Sequence, residues 1–269
     1  MLADQGERTP HVNNIRDLGG YPTKDGRIVK WCKLIRSGLL NKLDSADHNY
    51  FCDHRIKTII DLRSYSEIEK WPDSLQLQTK YLIIPLSDNS VLEDGNFINA
   101  LQKFYSETPR GGYIEMINSY EQLVISKKSQ LAYYEIFKYL LENKTDEAVI
   151  IHCSAGKDRT GLVCALVLLA LGVDRQVVYE DYLLTNKLSI NRIYARIMEA
   201  KANGGNENFI RSIYDLSVVH EAYLKRALDI IDDEYGGVGQ FLCNEVGITT
   251  KEISDLQKIY LTSLDKAYL

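Results

Sequence analysis

An α/β fold, with a central, mostly parallel sheet flanked by helices, is predicted by three observations. Short apolar runs rich in β-branched residues recur ahead of residue 153. Helix-like stretches separate them. The last run, Ala148–His152 (AVIIH), leads through a polar, glycine-containing stretch directly into the apolar segment Leu162–Val173.

The strands are read at 34–36 (LIR), 58–62 (TIIDL), 81–86 (YLIIPL) and 148–152 (AVIIH). Each is apolar at consecutive positions, the pattern of strands covered on both faces. Helices are read at 39–54, which opens with Asn and Asp residues suited to caps, at 64–70, stopped by Pro72, and at 113–141, where apolar residues fall at helical spacing. Further helices follow at 160–171, 175–186, 189–202, 207–214, 217–234, 237–246 and 251–268, punctuated by Gly172, Gly204-Gly205, Gly236-Gly237 and Gly247. No repeat or low-complexity linker divides the chain. One domain over 1–269 is expected, with an α/β core at about 13–186 and a helical extension or lid at about 187–269.

The chain has 269 residues, 45% of them hydrophobic and 26% charged, enough to bury a core without metals or disulfides. A net charge of −5 argues against general nucleic-acid binding. The five cysteines form no Cys-x-x-Cys pair, which disfavours a zinc knuckle or dithiol redox site. Free thiols and an N-terminal stretch without an apolar segment predict a cytoplasmic protein. The longest apolar run is too short to span a bilayer, so no stable membrane insertion is expected.

The polar stretch His152–Gly161 reads HCSAGKDRTG. Cleaving a phosphate monoester needs an in-line nucleophile, N–H donors around three equatorial oxygens, a fixed cation and a proton for the leaving oxygen. A strand would deliver Cys153 at its carboxyl end, where α/β folds place ligands. Residues 154–158 would curl so that their amides form a nest, with Gly156 at positive φ. Arg159 could grip two phosphate oxygens with a fork that lysine lacks. Thr160 and Gly161 would open a helix whose N-terminus also faces the anion. The same donors favour the thiolate, the form that attacks. A Cys-x5-Arg spacing alone arises by chance in roughly a quarter of such chains. The flanking His152, Gly156 and Thr160-Gly161, and the strand-to-helix context, make the pattern specific. The bland alternative is a structural cysteine in a surface turn.

HCSAGKDRTG resembles the signature loop of the cysteine-based protein tyrosine phosphatases. Its GKDRTG form resembles the bacterial group, with mycobacterial and listerial members, that acts on phosphotyrosine and on phosphoinositides. NIRDLGGYPTKDGR (14–27), LIRSGLL (34–40), IIDLRSYSEIEKWPD (59–73) and VVYEDYLLTN (177–186) are similar to that group's blocks. The resemblance implies a tyrosine-phosphatase-like fold, Cys153 as nucleophile, and phosphate binding by Ser154, Ala155, Gly156, Lys157, Arg159, Thr160 and Gly161. It implies a phosphoprotein or phosphoinositide substrate, and no cofactor or metal.

Three carboxylates compete as general acid. Asp158 lies in the loop, and the resemblance assigns it this role, although Lys157 and Arg159 favour its ionised form. Asp88 follows the strand before the cysteine strand, where mobile acid loops occur in related phosphatases, but Ser-Asp-Asn also suits an Asx turn. Asp73, in Trp71-Pro72-Asp73, matches the acid-loop spelling of the large tyrosine phosphatases, yet a further strand separates it from Cys153. Lys157 is a second cation for multiply phosphorylated substrates. Arg63 is a candidate to face the pocket. Lys187, Arg192, Arg196, Lys201 and Arg211 mark a basic segment that would cap the site or line a solvated helix face. Cys32 or Cys52 would protect an oxidised Cys153. Two rival functions use the same loop: phosphate recognition without turnover, and sulfur transfer or arsenate reduction at a reactive cysteine.

Overall fold

The computed structural model describes residues 12–74, 79–87 and 103–264. A five-stranded sheet is built from β1 (Arg16–Asp17), β3 (Leu34–Ser37), β6 (Ala148–His152), β4 (Ile56–Asp61) and β5 (Lys80–Ile83), in that spatial order. All pairs are parallel except β1 with β3. A two-stranded antiparallel ribbon joins β2 (Arg27–Val29) to β7 (Leu261–Ser263). The helices are α1 (Ser45–Asp53), α2 (Tyr65–Lys70), α3 (Gly111–Ile125), α4 (Lys127–Glu142), α5 (Asp158–Ala170), α6 (Arg175–Leu188), α7 (Ile190–Ala202), α8 (Glu207–Ser217), α9 (Glu221–Tyr235), α10 (Val238–Phe241) and α11 (Thr250–Tyr260).

The central strands are apolar at successive positions because both sheet faces are covered. Leu34, Ile60, Val149 and Ile151 enter one apolar cluster; Ile35, Ile59, Ala148 and Ile150 enter the other. This is the two-residue alternation of a strand, with each half meeting its own layer. The larger layer holds the buried faces of α3 and α4 together with α5, α9 and α11; the smaller holds Phe51 of α1. Helix α5 is buried almost all round, so its sequence is apolar without a polar stripe. Ser37, Asp61 and His152 are in register across β3, β4 and β6, so the carboxyl ends of the three strands open on one edge.

Several expected boundaries differ. The helix read at 39–54 begins at Ser45, because Asp44 caps it and Leu40 is tied into a loop by Asp73 and Ser74. The helix read at 113–141 is two helices, broken where Ser126 turns extended (ψ 127°). Thr160 does not begin its helix; Asp158 does. The segment read as helix at 217–234 contains the end of α8, the turn at Val218–His220 and then α9. The stretch 237–246 widens from α10 into a π-helical turn over Leu242–Val246. The last helix stops at Tyr260, where the chain becomes strand β7.

Helices α3 and α8 touch through backbone. A Cβ added to Gly112 would lie 2.3 Å from the Ser212 carbonyl oxygen, and the Gly112 N–H donates to Ser212 Oγ at 3.2 Å. Gly112→Ala must push the two helices apart. We expect it to destabilise the fold by about 1–3 kcal/mol, the usual cost of overpacking, read as a lowered urea midpoint with unchanged slope.

Candidate active site

Strand β6 ends at His152, and the chain turns through Cys153–Lys157 into the first turn of α5. The turn is held from outside by its carbonyls. Gly156 O accepts from Asn14 Nδ2 at 2.7 Å and from an Arg36 guanidinium N–H at 2.9 Å, and Ser154 O accepts from Leu39 N at 3.3 Å. The amides of residues 154–158 donate to no protein acceptor among the described residues. Carbonyls engaged outward and five consecutive uncommitted N–H groups are the makings of an anion nest. Gly156 has φ 64°, and a Cβ there would lie 2.3 Å from Ser37 O, so both conformation and space require glycine.

Beneath the turn is a buried charge cluster. Arg16 Nε and Arg36 Nη1 meet the two oxygens of Asp181 at 2.7 and 2.6 Å, and Tyr21 Oη donates to Asp181 at 3.0 Å. Burial works to raise the Asp181 pKa, but the two arginines outweigh it and bring it down to about 2.

Arg159 is oriented from the side. Its Nη1 and Nη2 donate to the two oxygens of Glu67 at 2.7 and 2.8 Å, and Ser154 Oγ donates to Glu67 Oε1 at 2.6 Å. Burial alone would raise the Glu67 pKa; the Arg159 fork and Ser154 instead hold it well below the usual carboxylate range. Glu67 also accepts from the Ser64 amide and so closes the capping box of α2. The carboxylate that caps α2 thus also aims the loop arginine.

Asp158 and Lys157 form the opposite wall. Asp158 Oδ1 accepts from Tyr120 Oη at 3.0 Å, and its Oδ2 lies 3.0 Å from Lys157 Nζ. Tyr120 and Tyr182 hydroxyls are 2.7 Å apart, and burial raises both phenols well above their ordinary pKa. Lys157 Nζ also donates to Val218 O at 3.1 Å, in the turn between α8 and α9. Burial lowers the Lys157 pKa, with Asp158 partly opposing.

Cys153, Ala155, Lys157, Asp158 and Arg159 line one cavity of about 370 Å³, together with residues of α3 and with Arg192 and Arg196 of α7. The expected loop residues therefore converge. Ser154 and Thr160 are buried, the former turned to Glu67, and Gly161 packs under the Tyr182 ring. Of the basic segment, Arg192 and Arg196 reach the cavity, whereas Lys187, Lys201 and Arg211 do not line it.

Other expectations change. Arg63 does not face the cavity: it is fully buried and ion-paired to Asp61 and Asp73 at 2.6 and 2.7 Å. Asp73 lies in that same cluster, 3.2 Å from His152 Nε2, and is no part of the cavity wall. Asp88 lies outside the described residues. Asp61, Asp73 and His152 do bring three possible metal ligands together, within 4.8 Å of one another. The Arg63 guanidinium already supplies their cation, so the cluster does not suit a metal. Burial opposes a charged His152, but Asp61 and Asp73 outweigh it and raise its pKa. All five cysteines are free, Cys52 is exposed on α1, and neither Cys32 nor Cys52 lines the cavity.

The loop sets Cys153 at one end of a row of amides without a protein acceptor among the described residues, and the Glu67-paired Arg159 at the other. Comparison with known sequences gives the family. The tyrosine phosphatase family model matches residues 8–262, and the chain belongs to that family. It is 28% identical to the triple specificity protein phosphatase PtpB of Mycobacterium tuberculosis, over 94% of this chain and 98% of that protein. It is 24% identical to a Cupriavidus necator relative named as a candidate tyrosine-protein phosphatase, over 93% and 86% of the two chains. A tyrosine-protein phosphatase of Nostoc commune is 27% identical over 56% of this chain and 47% of its own.

The Asp181 cluster generates a pH prediction. Its folded pKa lies below the ordinary 3.8, so its share of stability is complete above about pH 4 and is lost as pH falls toward 2. That share is about 2 kcal/mol. Asp181→Asn should cost about 3–5 kcal/mol near neutrality, because two buried arginines lose their counter-charge. It should also flatten the acid limb of stability between pH 4 and 2. Urea melts across that range measure both effects.

Proposed function

We propose that the protein hydrolyses phosphomonoesters, phosphotyrosine among them, through a phosphocysteine intermediate. The observation that carries this reading is the row of uncommitted amides at 154–158 set between Cys153 and an Arg159 already aimed by Glu67. In the first step Cys153 Sγ attacks phosphorus, the P–O bond to the alcohol breaks, and Asp158 gives its proton to the departing oxygen. In the second, water attacks phosphorus and gives a proton to Asp158, the new P–O bond forms as the S–P bond breaks, and the sulfur leaves as thiolate. The nest and Arg159 stabilise the equatorial oxygens throughout. Lys157 keeps positive charge beside Asp158, and Arg192 and Arg196 extend that field into the cavity. These cations support acceptance of phosphoserine, phosphothreonine and phosphoinositide esters as well.

Turnover of a fluorogenic aryl phosphate in EDTA, abolished in Cys153→Ser, is the expected result. Phosphopeptide binding without turnover would instead indicate a recognition module, and thiosulfate sulfur transfer a different enzyme. Asp158→Asn should slow esters with poor leaving groups by about 10²–10⁴ and spare good ones. Equal rates to wild type on both would remove Asp158 from its role. Glu67→Gln should lower kcat/KM by about tenfold or more while the chain stays folded, since a neutral amide cannot accept the paired guanidinium fork on both sides.

A further inference from the structure

Helix α7 has two faces with different tasks. Arg192 and Arg196 line the cavity. At 3.6 residues per turn, Ile190, Tyr194 and Met198 form an arc centred roughly 180° around the helix from that pair. These three apolar side chains are 59%, 64% and 43% exposed, so none of the described elements covers them. No other described helix carries three exposed large apolar residues. The stripe is bracketed by cations: Lys187 just before it and Lys201, on the same arc, at its end, both exposed. The exposed acid of this helix, Glu199, falls on a different side, roughly 100° from Met198.

We propose that this face of α7 docks peripherally on an anionic lipid surface. Apolar side chains in a line, a tyrosine at the centre and lysines at both ends are what an interfacial helix needs. The apolar atoms enter the headgroup boundary and the ammonium groups meet lipid phosphates or carboxylates. A second copy docked face to face on this stripe would bring the same lysines together with no opposite charge, so charge complementarity favours the membrane. Docking would hold the cavity wall formed by Arg192 and Arg196 about one helix diameter, ~10 Å, from the headgroups. The inference deepens the phosphatase reading by stating where its phosphate esters are presented. It does not require turnover.

The test uses the full chain carrying Cys153→Ser and vesicles of phosphatidylcholine alone or with about one-third phosphatidylserine. Co-sedimentation should favour the anionic vesicles by about tenfold and weaken with salt. The combined change Ile190→Ser, Tyr194→Ser, Met198→Ser should reduce binding by about tenfold, and Lys187→Gln with Lys201→Gln by several-fold. In the active background both variants should keep wild-type rates on a soluble aryl phosphate, which checks that they fold. Equal binding to both vesicle types, or undiminished binding by the serine variant, overturns the proposal. So does a wild-type dimer that the serine variant converts to monomer. Docking without phosphatase activity would sink the enzymatic reading and leave this one standing; activity without docking would do the reverse.

Discussion

The site depends on one hydrogen-bonded atom, the carbonyl oxygen of Gly156. Asn14 and Arg36 pull it outward. A peptide unit is rigid, so fixing a carbonyl on one side fixes the next amide on the other. With Gly156 and Ser154 both tied outward, the amides between Cys153 and α5 have no protein acceptor among the described residues and are available to an anion. Arg36 can hold that position only because Asp181 neutralises it together with Arg16. Burying three charges is expensive, and apolar residues of the same size would often be at least as stable. What the cluster supplies is a charged donor of fixed direction beneath a turn that must not relax.

A second buried cluster performs the equivalent task for the other end of the loop. Asp61 and Asp73 hold Arg63 and His152, and Arg63 also donates to the Trp71 carbonyl. These contacts fix the path from β4 into α2, and α2 carries Glu67. From there the chain of contacts runs through Glu67 to Arg159 and Ser154. Asp73 illustrates how a familiar spelling can mislead. Trp71-Pro72-Asp73 looks like an acid loop, but a carboxylate wedged against an arginine and a histidine at 0% side-chain exposure is a structural counter-ion.

The parts of the fold legible in the sequence were those with strong local signals. Strands buried on both faces read as unbroken apolar runs, and the strand–loop–helix at 148–171 announced itself. Strands β1, β2 and β7 have two or three residues each and carry Arg16, Arg27 and Ser263, so no alternation could reveal them. The break at Ser126 has no Gly or Pro to mark it. The loop's own residues were legible because the chemistry needs those types at that spacing. Its supports were not: Glu67 is indistinguishable in sequence from a capping residue, Asn14 and Arg36 lie 142 and 120 positions from Gly156, and Asp181 is 145 positions from Arg36. The likeness of whole blocks pointed to them without saying why; the two buried clusters supply the reason, since each block contributes at least one charged member.

The same contacts bear on the helices after residue 187, which the sequence presents as an addition to the core. Lys157, inside the loop, donates to Val218 in the α8–α9 turn. One residue further on, Val219 exchanges two hydrogen bonds of 2.8 Å with the side chain of Asn186, at the end of α6. Tyr223 of α9 stacks near Tyr120, whose hydroxyl holds Asp158. The loop's ammonium is thus held from the α8–α9 turn, its carboxylate by Tyr120 of α3, against which Tyr223 of α9 packs, and its guanidinium by Glu67 of α2. Burial lowers the Lys157 pKa, and the nearby Asp158 carboxylate opposes that. The Val218 carbonyl is the other acceptor of this ammonium, so the α8–α9 turn is tied to the acid side of the site by a hydrogen bond as well as by packing.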